Sequence, residues 1–206
     1  VKDLEKLRLG VLASGQGSNL QAIINATADG RIDGIVTVVI SDHQEAFALE
    51  RARQNNIPAH YLDINSFAGK AAFEEEIVNI LRNYQVDLVC LAGYMRVLSS
   101  VVLDAFPQRI INIHPALLPA FPGLHGQKQA WDYGVKFSGC TVHFVDQGID
   151  TGPIIIQAVV PVLDEDTADT LAARILEQEH QIFPEAIQRF AQGKLAITGR
   201  KVFTKR

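Results

Sequence analysis

"LRLGVLASGQGSNLQAIINATADG", residues Leu7–Gly30, passes from an apolar run through a glycine-rich turn into a segment with helical spacing. Leu7–Ser14 predicts a buried strand, and Asn19–Gly30 a helix that Gly30 stops. The same rhythm continues downstream. "GIVTVVIS" (34–41) predicts a second strand, "EAFALERARQNN" (45–56) a helix with Glu and Arg on its polar side, and "PAHYLD" (58–63) a short third strand. "FAGKAAFEEEIVNILRNY" (67–84) holds a helix with Phe73, Ile77, Ile80 and Leu81 at helical spacing, and "DLVCLAG" (87–93) and "RIINIH" (109–114) are strands four and five. Strands alternating with helices imply right-handed crossovers and a parallel sheet covered on both faces.

After Gly123 the pattern changes. "FSGCTVHFV" (137–145) and "PIIIQAVVPV" (153–162) are joined by "DQGIDTG", too short a link for a parallel crossover, so this pair reads as antiparallel. A long helix over 167–192 follows, with Thr167 as its cap and Pro184 expected to kink or break it, and the basic end "GRKVFTKR" reads as a tail or a short strand pair. The expected fold is α/β: a Rossmann-like, mostly parallel sheet of about seven strands, helices on both faces, and one antiparallel strand in the C-terminal half. We expect a single domain over 1–206, its half to about 106 binding phosphate or nucleotide and its half from about 107 catalytic.

Composition narrows the function. Of 206 residues 48% are hydrophobic and 20% charged, ordinary for a globular domain, and the net charge of -4 gives no electrostatic reason to expect a nucleic-acid footprint. No apolar run approaches the roughly 18–20 residues of a membrane helix, and "VKDLEKLR" lacks the apolar region of a signal peptide. Cys90 and Cys140 lie in apolar runs and read as buried free thiols. A reducing, cytoplasmic location without membrane or nucleic-acid partners is the expectation, as a monomer or a homodimer.

Four segments carry chemistry. In "ASGQGSNLQAI" the glycines between strand and helix let backbone N–H groups converge on an anion, with Gly17, Ser18 and Asn19 as donors. The spacing matches neither a Walker loop nor the dinucleotide fingerprint, so a monophosphate fits better than a pyrophosphate, while a tight turn with a helix cap accounts for the same residues. In "RIINIHPALLPAFPG" (109–123) Asn112 and His114 are two apart and so leave a strand on one side, at the strand end where open α/β sheets bind ligands. Asn112 can donate to an oxyanion, and His114 can carry a proton near neutral pH. In "HFVDQGIDTGPII", Asp150 is either a turn residue or the carboxylate that stabilises His114 as imidazolium. "LAGYMRVLS" supplies apolar wall, backbone groups and Arg96 for a flat, mostly apolar ring, or is simply packing at a helix start. His114, His125 and His143 lack metal-site spacing, and no metal is expected.

These four segments, in this order, resemble the folate-dependent formyltransferase family, and the likeness runs from about Leu7 through the long C-terminal helix. The early glycine loop narrows it to the branch that formylates glycinamide ribonucleotide in purine synthesis. The resemblance implies that 10-formyltetrahydrofolate is the co-substrate and that no metal takes part. It implies substrate phosphate on Gly17, Ser18 and Asn19, and Glu179 at the ribose. For the folate it implies Leu91, Met95, Arg96, Val97 and Leu98 facing Val145, Asp146, Gln147, Gly148, Ile149 and Asp150, with Lys70 near the glutamate tail. Asn112, which also borders the folate, and a protonated His114 would hold the tetrahedral oxyanion, with Asp150 keeping His114 charged and collecting the amine proton through water. His125 and Thr141 are candidates behind the site, Leu118–Pro119 is a candidate cis peptide, and Leu176 stands where some relatives carry a polar residue. A formylating enzyme of initiator tRNA would add a C-terminal RNA-binding domain and a basic face. The alternative, a 10-formyltetrahydrofolate hydrolase, would add an N-terminal regulatory domain.

Overall fold

The computed structural model of the protein describes residues 6–205, so the start of the charged N-terminal stretch, 1–5, and position 206 of the basic end lie outside it, as do the outermost bounds of the expected domain. Strands and helices alternate through β1 (Leu7–Leu12), α1 (Ser18–Ala28), β2 (Gly34–Ser41), α2 (Phe47–Gln54), β3 (Ala59–Tyr61), α3 (Lys70–Asn83) and β4 (Leu88–Leu91). Then come α4 (Ser100–Ala105), β5 (Ile110–His114), α5 (Gly126–Tyr133), β6 (Phe137–Phe144), β7 (Ile154–Pro161), α6 (Ala168–Ala191), β8 (Leu195–Thr198) and β9 (Lys201–Thr204).

They form one sheet in the order β3-β2-β1-β4-β5-β6-β7-β9-β8. In the seven strands from β3 to β7 the neighbours are parallel except on either side of β6, which alone runs against the rest. This is the α/β sheet the sequence predicts. The basic end is a strand pair, since β8 and β9 are antiparallel and β9 joins the sheet beside β7, making nine strands. The chain moves outward from β1 to β3, then returns to the other side of β1 with β4 and β5. That reversal opens a crevice at the carboxyl ends of β1 and β4.

Period-2 alternation divides the core between the two faces of the sheet. Leu9, Val11, Cys90, Ile111 and Ile113 pack with α1, α2 and α6, whereas Leu12, Val89, Leu91 and Ile110 pack with α3 and α4. Ile110 thus starts on the α3–α4 face, and Asn112 and His114 leave from that same face further along β5. Both cysteines are free and buried, and burial raises both thiol pKa values, that of Cys140 to about 12.

Thr167 caps α6 as expected, in a reciprocal box with Thr170. At Pro184, where a kink or a break is expected, the helix does not break: α6 runs over 24 residues through this buried proline. Packing of an extensive apolar face outweighs one missing backbone bond. Phe183, fully buried on that face, sets the scale. Phe183→Ala should lower the unfolding free energy by about 3–5 kcal/mol, read as a lower midpoint in urea at an unchanged slope.

Candidate active site

The loop after β1 is shaped by Gly17, whose φ of 68° is left-handed. A Cβ at Gly17 would lie 2.7 Å from Ala48 Cα on α2, so glycine is required there for space as well as backbone geometry. Helix α1 starts at the next residue with no side-chain cap, which leaves its first N–H groups open toward the loop. The Asn19 side chain is buried, and its Nδ2 donates to Glu179 Oε2 at 2.7 Å while its Oδ1 has no partner among the described residues. Burial raises the Glu179 pKa, with the Asn19 bond opposing it. The four residues expected at phosphate and ribose therefore come together, with one buried acceptor unsatisfied.

At the end of β5 the antiparallel register sets Asn112 opposite His143 and His114 opposite Thr141. The β6–β7 connection turns back toward β5 because Gly152 passes against the Phe144 carbonyl, where a Cβ would stand 1.7 Å away. That turn delivers Asp150, itself at a left-handed φ of 54°. Asp150 Oδ2 lies 3.2 Å from His114 Nδ1 and accepts from the Gly123 N–H at 2.7 Å. Asp150 Oδ1 lies 3.4 Å from Asn112 Nδ2 and 3.5 Å from His143 Nε2. On its far side His114 donates from Nε2–H to the Phe121 carbonyl at 2.8 Å. The three candidate catalytic side chains, two from β5 and one from the β6–β7 connection, form one cluster.

Opposing forces act on the imidazole. His114 is 3% exposed, and burial, the largest influence, lowers its pKa below the ordinary imidazole value. Asp150 and the Phe121 carbonyl raise it without overcoming burial, and His143 lowers it further. The carboxylate therefore favours imidazolium and burial opposes it, while both ring nitrogens face an acceptor, Nδ1 the Asp150 carboxylate and Nε2 the Phe121 carbonyl. Asp150 is also buried, which raises its pKa, yet the neighbouring His143, the Gly123 N–H and His114 outweigh that and hold it below the ordinary carboxylate value.

A cavity of about 520 Å3 opens beside the cluster, within the about 300–1,000 Å3 range of small-molecule sites. Leu91, Met95, Arg96, Val97 and Leu98 form one wall, and Val145, Asp146, Gly148, Ile149 and Asp150 the other, with Asn112, His114 and His125 between them. Gln147 does not line it. Lys70 lines a smaller neighbouring cavity of about 280 Å3 that shares Tyr94, Met95, Arg96 and Val97, and its Nζ donates to the Val97 carbonyl at 2.7 Å. Thr141 stands behind the site, donating to the Ala116 carbonyl and accepting from Leu118 N–H, and the Leu118–Pro119 peptide is cis. The side chain of Leu176, within α6, is apolar and has no group for a polar contact. Among the described residues no group of three or more His, Cys, Asp or Glu could hold a metal ion, and no helix is long and apolar enough to cross a membrane.

His143 was missed as a member of the cluster. It is 2% exposed, its Nδ1–H donates to the Phe144 carbonyl at 2.8 Å, and its Nε2 accepts from Asn112 Nδ2 at 3.2 Å. The sequence carried a signal for it: Thr141 and His143 repeat, in an apolar strand, the two-residue spacing of Asn112 and His114.

An open α/β sheet with a carboxylate–imidazole–amide cluster beside a largely apolar cavity has the makings of an enzyme site for a small molecule. The chain belongs to the formyl transferase family, whose model matches residues 7–187. It is 45% identical to the phosphoribosylglycinamide formyltransferase of Escherichia coli over 191 residues, 93% of this chain and 90% of that protein. It is 48% identical to the trifunctional purine biosynthetic protein adenosine-3 of Drosophila melanogaster, matching 93% of this chain but spanning only 14% of that longer protein. Among solved structures, glycinamide ribonucleotide transformylase 1 from Symbiobacterium toebii superposes with a TM-score of 0.96 at 54% identity, covering 98% of this chain and 95% of that one.

Proposed function

We propose that this chain transfers the formyl group of 10-formyltetrahydrofolate to the amine of glycinamide ribonucleotide, yielding formylglycinamide ribonucleotide and tetrahydrofolate. The observation that carries the reading is the convergence of Asn112, His114 and Asp150 at one end of the apolar cavity. The open N-terminus of α1, with Gly17, Ser18 and Asn19, suits the nucleotide phosphate, and Glu179 beside Asn19 suits the ribose hydroxyls. The walls 91–98 and 145–150, largely apolar but carrying Arg96 and Asp146, suit the pterin.

The amine nitrogen attacks the formyl carbon, and the carbonyl becomes an oxyanion. Asn112 Nδ2 contacts its present acceptors at 3.2 and 3.4 Å, long enough to turn toward that oxygen. An N–H of His114 is the second donor. The C–N bond to the folate then breaks, so the attacking amine loses one proton and the departing folate nitrogen gains one. His114 is the group that carries it, and Asp150 lowers the cost of its charged form. The same reading has the enzyme working on small molecules in the cytoplasm, in keeping with two buried free thiols.

The reading is tested by following tetrahydrofolate release from 10-formyltetrahydrofolate with and without glycinamide ribonucleotide. Release should depend strictly on the nucleotide; equal release in both would make the chain a hydrolase. Asn19→Ala, which removes a donor to Glu179 and opens the cradle, should raise the nucleotide KM about tenfold and leave the folate KM near its original value.

A further inference from the structure

We propose that Asp42, the residue after β2, is a positioning residue for the cavity wall: its carboxylate bonds Arg96 directly and Met95 through Ser14, and so fixes the segment 93–98 against the strand end that carries the glycine loop. The inference rests on reading that cavity as the folate site.

The order β2-β1-β4 sets three strand ends side by side. Asp42 follows the first, Ser14 the second and Gly93–Leu98 the third. The Asp42 side chain is 1% exposed, and its Oδ2 accepts from Arg96 Nε at 2.7 Å. Its Oδ1 accepts from Ser14 Oγ at 2.6 Å and from His43 Nδ1 at 2.9 Å. Ser14 Oγ in turn accepts from the Met95 N–H at 3.0 Å, and the Ser14 N–H donates to the Gly93 carbonyl at 3.0 Å. Burial raises the Asp42 pKa, but the bonds from Ser14, His43 and Arg96 outweigh it and keep the group ionised.

Packing holds Tyr94 and Leu98, which are buried in the core, but not the side chains between them that face the cavity. Met95 is 59% and Val97 48% exposed where they face the cavity. What fixes their backbone is a set of polar clamps beneath them. Glu74 accepts from the Ser99 N–H and hydroxyl, Lys70 donates to the Val97 carbonyl, and Asp42 with Ser14 holds the opposite end. Within that set, Asp42 also aims a cavity-lining guanidinium. An amide in its place would still accept from Ser14 but would turn N–H toward Arg96 Nε–H, donor against donor, releasing the arginine.

Asp42→Asn in the full chain should raise the KM for 10-formyltetrahydrofolate about tenfold, with kcat and the nucleotide KM within about twofold of wild type. In an Arg96→Gln background it should add nothing further, because both changes break the same contact. Equal rises in both KM values, a fall in kcat alone, or full additivity with Arg96→Gln would overturn the proposal. Should Asp42→Asn fail to fold, Ser14→Ala carries the test, with the folate KM again rising selectively. Fluorescence titration with tetrahydrofolate reads the same weakening without turnover. A wild-type chain that fails to transfer formyl therefore counts against the function, and undiminished tetrahydrofolate binding by Asp42→Asn counts against this inference.

Discussion

His114→Ala will turn over about a thousandfold more slowly than the parent enzyme while binding nucleotide and folate nearly as well. The ring is buried against Gly126 and the loop that follows β5, so it adds little surface to either ligand site. Its contribution is made when the formyl oxygen takes up charge and a proton must travel between two nitrogens. Removing one preorganised donor from such a centre costs about 10²–10³ in kcat, and losing the proton carrier as well takes the effect to the upper end. Asn112→Ala, which removes only the neutral donor, should lie toward the lower end. The double variant should fall short of the product of the single effects, because both act on one oxyanion. Steady-state kinetics with each substrate varied separates these outcomes from a loss of binding.

Asp150→Asn should lower kcat by about two to three orders of magnitude and shift the pH profile as well. The sign follows from the forces on His114. Burial lowers its pKa and Asp150 raises it. Neutralising Asp150 removes a raising influence, so the His114 pKa falls further. The protonated ring is lost as pH rises through that pKa, so the activity limb that follows protonated His114 should move to lower pH in the variant. An unmoved limb with reduced kcat would leave Asp150 as a loop anchor acting through its bond from Gly123.

Much of this architecture was legible because it depends on short-range periodicity. Alternating strands and helices announced the parallel half, and the short link after Val145 announced the reversal at β6. The two-residue spacing of Asn112 and His114 was enough to send both to one face. Helices α4 and α5 were not legible. Among their residues only Val102 in the first, and Gly126 and Ala130 in the second, are buried, too few to print an apolar stripe on the sequence. His143 carried only a partial signal, its two-residue spacing from Thr141, since its pairing with Asn112 depends on antiparallel register, which local pattern does not fix. The balance of forces on His114 lay furthest from view. A neighbouring carboxylate can be guessed from sequence, but the depth of burial that opposes it emerges only once loop 115–125 has closed over the ring.

A crystal structure of the protein with glycinamide ribonucleotide and a non-transferable formyl-folate analogue tests the central claim most directly. The account predicts the nucleotide phosphate on the N–H groups of residues 17–19, the pterin between Met95–Leu98 and Val145–Asp150, and the formyl-mimicking oxygen at hydrogen-bond distance, about 3 Å, from both Asn112 Nδ2 and a ring nitrogen of His114. A complex with both ligands ordered and that oxygen beyond reach of the amide and the imidazole would contradict it.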